Sequence, residues 1–433
     1  MAAQKRPSRS RRRTKGKTAE GADERRSVIV TFKPKDKRPD GDKDKLEVLS
    51  EVITSEVNIL NAGAVERGGA IGIAPETTAY DVDEYEAPIV TLSLSDDEIT
   101  ALEKNPNVAA VDDDGEMYAL EAAASPPVQL PTAQLAVEDQ PSPLAETIPT
   151  GVNQIRAPLG WDCSRGRGIA VAVLDTGIDG THPDLSPNYR GGTSFVPGEP
   201  SPDDGAGHGT HCAGTIAAAI NGSGVVGVAP AASLYAVKVL SSEGIGSWSW
   251  LISAIDWCIK RGIRVVSMSL GGSSAPGALE AMCNAAWNKG LLLIAAAGNT
   301  GGTSDPGVGF PAKYAKVVAV SAINNSNTIA PFSSRGPEVE LCAPGVQVLS
   351  TLPGGGHGKM SGTSMACPHV SGAAALAWGG HRFSSNVTIR RVLAKTSDNL
   401  GVPGRDDLYG YGRVDARQAA CRLTPPGEVP GIP

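Results

Sequence analysis

Between residues 169 and 322 the chain repeats one pattern of polarity. A short, unbroken apolar run is followed by a longer segment with apolar positions three and four apart. The runs 169–174, 234–240, 265–270, 291–297 and 317–322 have strand length. Segments 249–261, with Leu251, Ile252, Ile255 and Ile259 inward, and 277–289 have helical spacing. Strands apolar on both faces, alternating with helices, predict an α/β domain: a parallel sheet in three layers, with helices on both faces. Sites on such sheets open at the carboxyl ends of the strands. Asp175, the stretch 269–272 and Asn299 fall at such ends.

A different pattern precedes it. Residues 27–32 read as a strand, and Leu46, Leu49, Ile53, Val57 and Leu60 recur at helical spacing. Residues 88–94 alternate like a strand. Ser95-Asp96-Asp97-Glu98 is a capping box opening a helix with Ile99 and Leu102 inward, stopped by Asn105-Pro106-Asn107. Residues 108–111 form a last strand. The elements predict a small α+β unit of split βαβ, ferredoxin-like type. Residues 1–26 are basic and without apolar period, as in a disordered arm. Residues 121–148 carry Ala, Pro, Gln and Ser and read as an extended linker.

Composition narrows this picture. The 433 residues allow two or three domains, and 52 glycines imply many tight turns. A net charge of −7 argues against a nucleic-acid partner. No apolar run reaches the ~18 residues that span a bilayer, so no membrane partner is expected. The basic residues 5–17 are followed by no apolar segment of the kind a secretory signal has. Seven cysteines leave at least one unpaired, and Cys212, Cys258, Cys283 and Cys342 fall within core elements. Free buried thiols in a reducing compartment are therefore expected instead of a disulfide framework. The location read from these signs is cytoplasmic, with secretion by another route as the alternative.

Three stretches carry candidate chemistry. Ser361-Gly362-Thr363-Ser364-Met365-Ala366-Cys367-Pro368-His369-Val370-Ser371-Gly372 reads as a tight turn entering a helix with small residues on every face. Pro368 is read into the first turn, where a missing N–H costs nothing. A serine at a helix N-terminus sits where N–H groups and the helix dipole stabilise an oxyanion; a plain serine cap has the same pattern. Val171-Ala172-Val173-Leu174-Asp175-Thr176-Gly177 is an apolar strand ending in a carboxylate and a turn. Gly207-His208-Gly209-Thr210-His211-Cys212-Ala213-Gly214 opens a second helix of small residues. Asp-Thr-Gly alone would be half of an aspartic protease pair, which needs a second copy. The two histidines alone would suit a metal, which needs a third ligand.

Acid, base and nucleophile thus follow in the order Asp, His, Ser. In these motifs, their order and spacing, the chain resembles the subtilisin-like serine proteases, the subtilases, over about residues 27–420. The resemblance implies Ser364 as nucleophile, His208 as its base, Asp175 as the orienting carboxylate and Asn299 as an oxyanion donor, with His211 structural. It implies a substrate edge at Ser269, Leu270, Gly271 and Gly272, faced by Gly244 and Gly246, with Ala296 and Gly298 beside the site. Trp248 and Leu270 would wall an apolar pocket for the fourth residue before the cut. Gly309 would floor a wide, uncharged primary pocket that prefers large apolar residues. A structural Ca²⁺ would be held by Asp184, Ala219, Asn221, Ser223 and Val225. Cys212, next to His211, implies sensitivity to mercurials; Cys367 is assigned no role.

The resemblance also divides the chain: arm 1–26, inhibitory propeptide 27–120, linker 121–148, catalytic domain 149–423 and tail 424–433. The reading is a serine endopeptidase made as a self-inhibited zymogen, a monomer acting on proteins or peptides, with no organic cofactor. Its own propeptide is the partner, with Leu120 in the primary pocket, Met117 in the fourth, and the cut between Leu120 and Glu121. Cuts after Leu130 or Leu144 are the alternatives. Two other functions compete: a silent subtilase fold used for binding, and a maturation protease for one client.

Overall fold

The computed structural model of the protein describes residues 25–34, 37–39, 45–53, 58–59, 78–79, 89–121, 146–422 and 427–433. Most of the basic arm, the linker over 122–145 with Leu130 and Leu144, and positions Val57 and Leu60 lie outside them.

Seven parallel strands form the central sheet, in the order Val339–Pro344, Val317–Ile323, Leu292–Ala296, Val265–Met268, Ala170–Asp175, Ser233–Lys238, Tyr189–Ser194. Successive residues of a strand point to opposite faces, so each strand feeds two cores. Val171, Val173 and Ile294 face one core with helices His208–Ala217 and Thr363–Gly380. Ala172, Leu174 and Leu293 face the other with helices Trp248–Lys260 and Gly277–Asn288. This is the α/β architecture that the unbroken apolar runs predict.

The runs miss both edge strands. Val339–Pro344 carries Glu340 in its middle, and polar residues hide a strand from an apolar pattern. Glu340 is buried all the same, because Arg390 pairs with it through two nitrogens at 2.6 and 2.9 Å. Tyr189–Ser194 is glycine-rich with an exposed Arg190. A hairpin of Val348–Leu352 and Gly356–Met360 then leads to the helix of Ser364.

The reading of Pro368 needs correction. Helix Thr363–Gly380 begins early enough that Pro368 lies inside it. A proline there cannot bond the carbonyl four residues back, which is that of Ser364. That carbonyl instead accepts from Ser269 Oγ at 2.8 Å and Cys212 Sγ at 3.5 Å. The missing bond ties the Ser364 backbone to two neighbouring elements.

In the N-terminal unit an antiparallel sheet runs Ile89–Leu94, Arg26–Phe32, Val108–Asp113. Val30, Phe32, Leu92 and Leu102 fill its core. The capping box forms on helix Asp96–Glu103, Ser95 and Glu98 each taking the other's N–H. The first helix is shorter than its apolar spacing predicts: Lys45–Val52. Asn58–Ile59 instead pairs with Thr78–Ala79 as a short parallel ladder.

The thiol expectation is corrected in part. Cys163 and Cys421 form a disulfide with Cα atoms 5.4 Å apart. Their separation of 258 residues leaves no spacing signal, and only the packing of helix Ala416–Cys421 on Gly160 brings them together. Cys212, Cys258, Cys283, Cys342 and Cys367 are free and buried. Beyond the domain limit drawn at 423, Val429 and Ile432 pack against Ala394 and Tyr411.

Candidate active site

Asp175 ends its strand at the carboxyl edge of the sheet, and His208 is the first residue of its helix. Glycine lets these ends meet: a Cβ on Gly209 would run into the Gly177 carbonyl. His208 Nδ1 then lies 2.7 Å from Asp175 Oδ1. The same oxygen accepts from Thr176 N at 2.7 Å. Burial lowers the His208 pKa, but the Asp175 charge and hydrogen bond, with Glu121 and Asp204 further off, outweigh it and hold it up at about 9. The acceptor Asp175 fixes the proton on Nδ1, so the neutral ring carries its lone pair on Nε2. That Nε2 is buried with no hydrogen-bond partner among the described residues.

Asp204 was not singled out from the sequence, and it organises this corner. Its Oδ1 accepts from Thr176 Oγ1 at 2.8 Å and Gly207 N at 2.8 Å, and its Oδ2 from Thr210 N at 2.8 Å. An acidic residue just before a helix is a start signal that could have found it. His211 takes no part in the pair: one ring nitrogen meets the Val348 carbonyl at 2.9 Å, and burial pushes its pKa down to about 3.

Ser364 is the second residue of its helix, so its N–H belongs to the first turn, which lacks intrahelical acceptors. Its Oγ lies 2.6 Å from the Leu120 carbonyl oxygen and 3.0 Å from that of Ser269. The hydroxyl is thus turned to these carbonyls and not to His208. Asn299 follows the end of strand Leu292–Ala296. Thr363 N and Oγ1 hold its Oδ1 at 3.0 and 2.9 Å, which leaves the amide nitrogen to face Leu120 O at 2.7 Å. Gly298, at φ +116°, makes the turn between them and donates to Thr363 Oγ1 at 3.2 Å.

Strand Glu116–Ala119 lies antiparallel between Ile245–Ser247 and Leu270–Gly271. Ala119 N donates to Gly244 O at 3.0 Å and Leu120 N to Ser269 O at 3.2 Å. Met117 is fully buried beside Gly246, in the cluster holding Trp248 and Leu270. Asp114 accepts from Ser249 N at 3.0 Å and Oγ at 2.6 Å, capping the helix that starts at Trp248. Leu120 points its Cδ1 at Gly271, into a cleft of about 350 Å³ lined also by Gly272, Asn299 and Gly309. Asp305 and Lys313 line the same cleft, both exposed, from a segment without apolar pattern.

The loop 219–225 closes on Asp184. A Cβ on Gly224, at φ +63°, would collide with the Asp184 carboxylate, so the loop wraps it. Asp184 Oδ1 accepts from Asn221 Nδ2 at 3.0 Å, and Oδ2 from Val225 N at 2.9 Å and His357 at 2.8 Å. Burial raises its pKa, but the bonds from His357, Val225 N and Asn221 outweigh this and hold it below the usual carboxylate range. Glu146, missed in the sequence, accepts from Asn221 N at 2.7 Å and Gly222 N at 2.9 Å. Asp184, Glu146 and the Asn221 amide bring side-chain oxygens to this one loop, the ligand type that Ca²⁺ takes.

Comparison with known proteins agrees with the fold. The Subtilase family model matches residues 166–412. Subtilisin E of Bacillus subtilis is 50% identical over 279 residues, 64% of this chain and 72% of that protein. The subtilisin of Bacillus pumilus is 48% identical over 279 residues, 64% of this chain and 100% of that protein. An alkaline protease of Shouchella clausii is 41% identical over 360 residues, 82% of this chain and 86% of that protein. With the parallel sheet and its carboxyl-edge site, these matches make the chain a member of the subtilase family, a subtilisin-like serine endopeptidase.

Proposed function

We propose that this protein is a zymogen that cuts its own chain between Leu120 and Glu121, using Asp175, His208 and Ser364. The observation that carries the reading is the Leu120 carbonyl oxygen, 2.7 Å from Asn299 Nδ2 and 2.6 Å from Ser364 Oγ. A carbonyl held by an amide donor beside a serine hydroxyl is poised for acyl transfer.

The steps follow from the groups present. Ser364 Oγ attacks the Leu120 carbonyl carbon, and its proton passes to His208 Nε2. Asp175 stabilises the resulting imidazolium. The oxyanion is met by the Asn299 amide and the free N–H of Ser364. As the tetrahedral species collapses, His208 protonates the leaving nitrogen of Glu121, and an ester joins Leu120 to Ser364. Water then hydrolyses that ester with His208 again as base. Until it dissociates, strand Glu116–Ala119 fills the edge where a substrate would add, so residues 27–120 inhibit in cis. Met117 and Leu120 support a preference for apolar residues first and fourth before the cut.

When bound, Ca²⁺ would supply charge neutralisation and rigidity to loop 219–225, through Asp184, Asn221, Glu146 and the carbonyls of Ala219, Ser223 and Val225. Cys163–Cys421 favours the secreted alternative over a cytoplasmic location, since disulfides persist in oxidising compartments. The enzyme in culture supernatant without lysis supports this reading; retention in cells opposes it.

The test of processing is N-terminal sequencing of briefly expressed wild-type and Ser364→Ala proteins. A first N-terminus at Glu121 in the wild type and an uncut Ser364→Ala chain are expected. A first N-terminus elsewhere, or normal processing of the variant, overturns the proposal.

A further inference from the structure

His182, Asp184 and His357 offer one ring nitrogen each and a carboxylate oxygen, all within 4.8 Å of one another. His182 and Asp184 lie on the segment that follows Asp175. His357 lies on the hairpin that leads to Ser364. The two rings stand edge to face with centroids 5.2 Å apart. His182 and Asp184 are each 1% exposed, while His357 is half-buried and gives the cluster a path to solvent.

The hydrogen bonds set the chemistry. His182 Nε2 lies 3.0 Å from the Gly356 carbonyl, which can only accept, so that nitrogen carries the proton. The lone pair is left on Nδ1, which accepts from Asp184 N at 3.1 Å. A histidine that donates one N–H to a backbone carbonyl and keeps its lone pair on the other nitrogen is in the tautomer a metal ligand needs, and the Asp184 N–H is what a metal would have to displace from it. The carbonyl belongs to the neighbour of His357, so one contact orients the first ligand and positions the third. His357 Nε2 meets Asp184 Oδ2 at 2.8 Å, and the Gly354 N–H donates to Asp179 Oδ2 at 2.9 Å. The hairpin tip is therefore pinned to the segment after Asp175 at three points.

We propose that His182, His357 and Asp184 form a binding site for Zn²⁺, distinct in chemistry from the oxygen-lined loop beside it. Two imidazoles and one carboxylate suit zinc, whereas Ca²⁺ takes oxygen ligands. Tetrahedral zinc with ligands at about 2.0–2.1 Å holds its donors about 3.3 Å apart, so on binding the His357–Asp184 pair, at 2.8 Å, opens slightly while separations of up to 4.8 Å close. Zinc displaces the hydrogen between His357 and Asp184, and that proton moves to His357 Nδ1 or to solvent. It also replaces the bond from Asp184 N to His182. Water fills the fourth position from the His357 side. Asp184 Oδ1 still faces Asn221, so the loop and the zinc site share one residue through different oxygens. Bound zinc cross-links the strand end of Asp175 to the hairpin entering the helix of Ser364.

The test uses full-length protein carrying Ser364→Ala, so that the chain stays intact, with Ca²⁺ held constant. It is titrated with Co²⁺ as a spectroscopic probe and then with Zn²⁺. The expected result is visible absorption of tetrahedral Co²⁺, displaced by Zn²⁺, and a rise in melting temperature. His357→Gln, which keeps a donor facing Asp184, is expected to fold and to weaken zinc binding at least about tenfold, with one fewer bound equivalent. His182→Gln should do the same and serves as the second variant, since it leaves Asp184 to the Ca²⁺ loop. No saturable binding, or binding of unchanged affinity and stoichiometry in both variants, overturns the proposal. The second outcome would place the ion at Asp175, His208 and Cys212 or at the surface instead.

Discussion

The Asn299 amide nitrogen stands 2.7 Å from the Leu120 carbonyl oxygen because Thr363 holds the other end of the amide. The orientation of the donor is therefore a property of two residues. Asn299→Ala should lower kcat about 10²-fold or more with little change in KM. Thr363→Val keeps the backbone bond and loses the hydroxyl one, so a loss of about tenfold is expected. Steady-state kinetics on a peptide substrate check both. A KM effect in place of a kcat effect would mean that Asn299 only binds substrate.

In the proposed mechanism His208 must be neutral to accept the Ser364 proton. In the uncut chain its pKa stands at about 9, with Glu121 among the groups raising it. The first cut should therefore accelerate as pH rises through about 9. Glu121→Gln removes one raising charge and should move the midpoint to lower pH. The sign for stability is opposite. The charged pair of His208 and Asp175 stabilises the fold below the unfolded histidine pKa, and the contribution is lost as pH rises through about 9. Single-turnover processing rates against pH, for both proteins, decide this.

Met117 is fully buried against the Trp248 cluster although it precedes the proposed cut after Leu120. Met117→Ala should cost about 2 kcal/mol or more, roughly thirtyfold in inhibition. Mature enzyme titrated with isolated wild-type and variant propeptide measures it, and equal inhibition would mean that the contact contributes nothing to binding.

Gly224 lets loop 219–225 close on Asp184. Chelation of Ca²⁺ should lower the melting temperature, since an ion bound only to the folded chain stabilises it by mass action. Gly224→Ala should lower it further and blunt the response to added Ca²⁺. An unchanged melting temperature in excess chelator would argue against an ion at this loop.

Cys163–Cys421 closes a chain segment of 258 residues. Cys421→Ser should destabilise the protein by about 2–5 kcal/mol, because the unfolded chain regains the entropy the link removes. Denaturant unfolding measures this. Thiol titration of the wild type should find the five free cysteines only after unfolding, because all five are buried.

The chain itself determined the five central strands and their helices, because a strand buried on both faces must be apolar at every position. It also determined the order of Asp175, His208 and Ser364, since motifs of small residues around each survive in one dimension. Glu340 hid an edge strand, because its charge is cancelled only by Arg390, 50 residues on. Pro368 was read into the wrong turn, because only the folded helix fixes its start and only the fold supplies Ser269 and Cys212 to the freed carbonyl. The Cys163–Cys421 bond, the charges of Asp305 and Lys313 at the cleft, and the meeting of His182 with His357 have no local signature at all. Each joins segments far apart in the chain, and such contacts follow from how the sheet, its helices and the hairpin pack, a property that no short stretch of sequence carries alone.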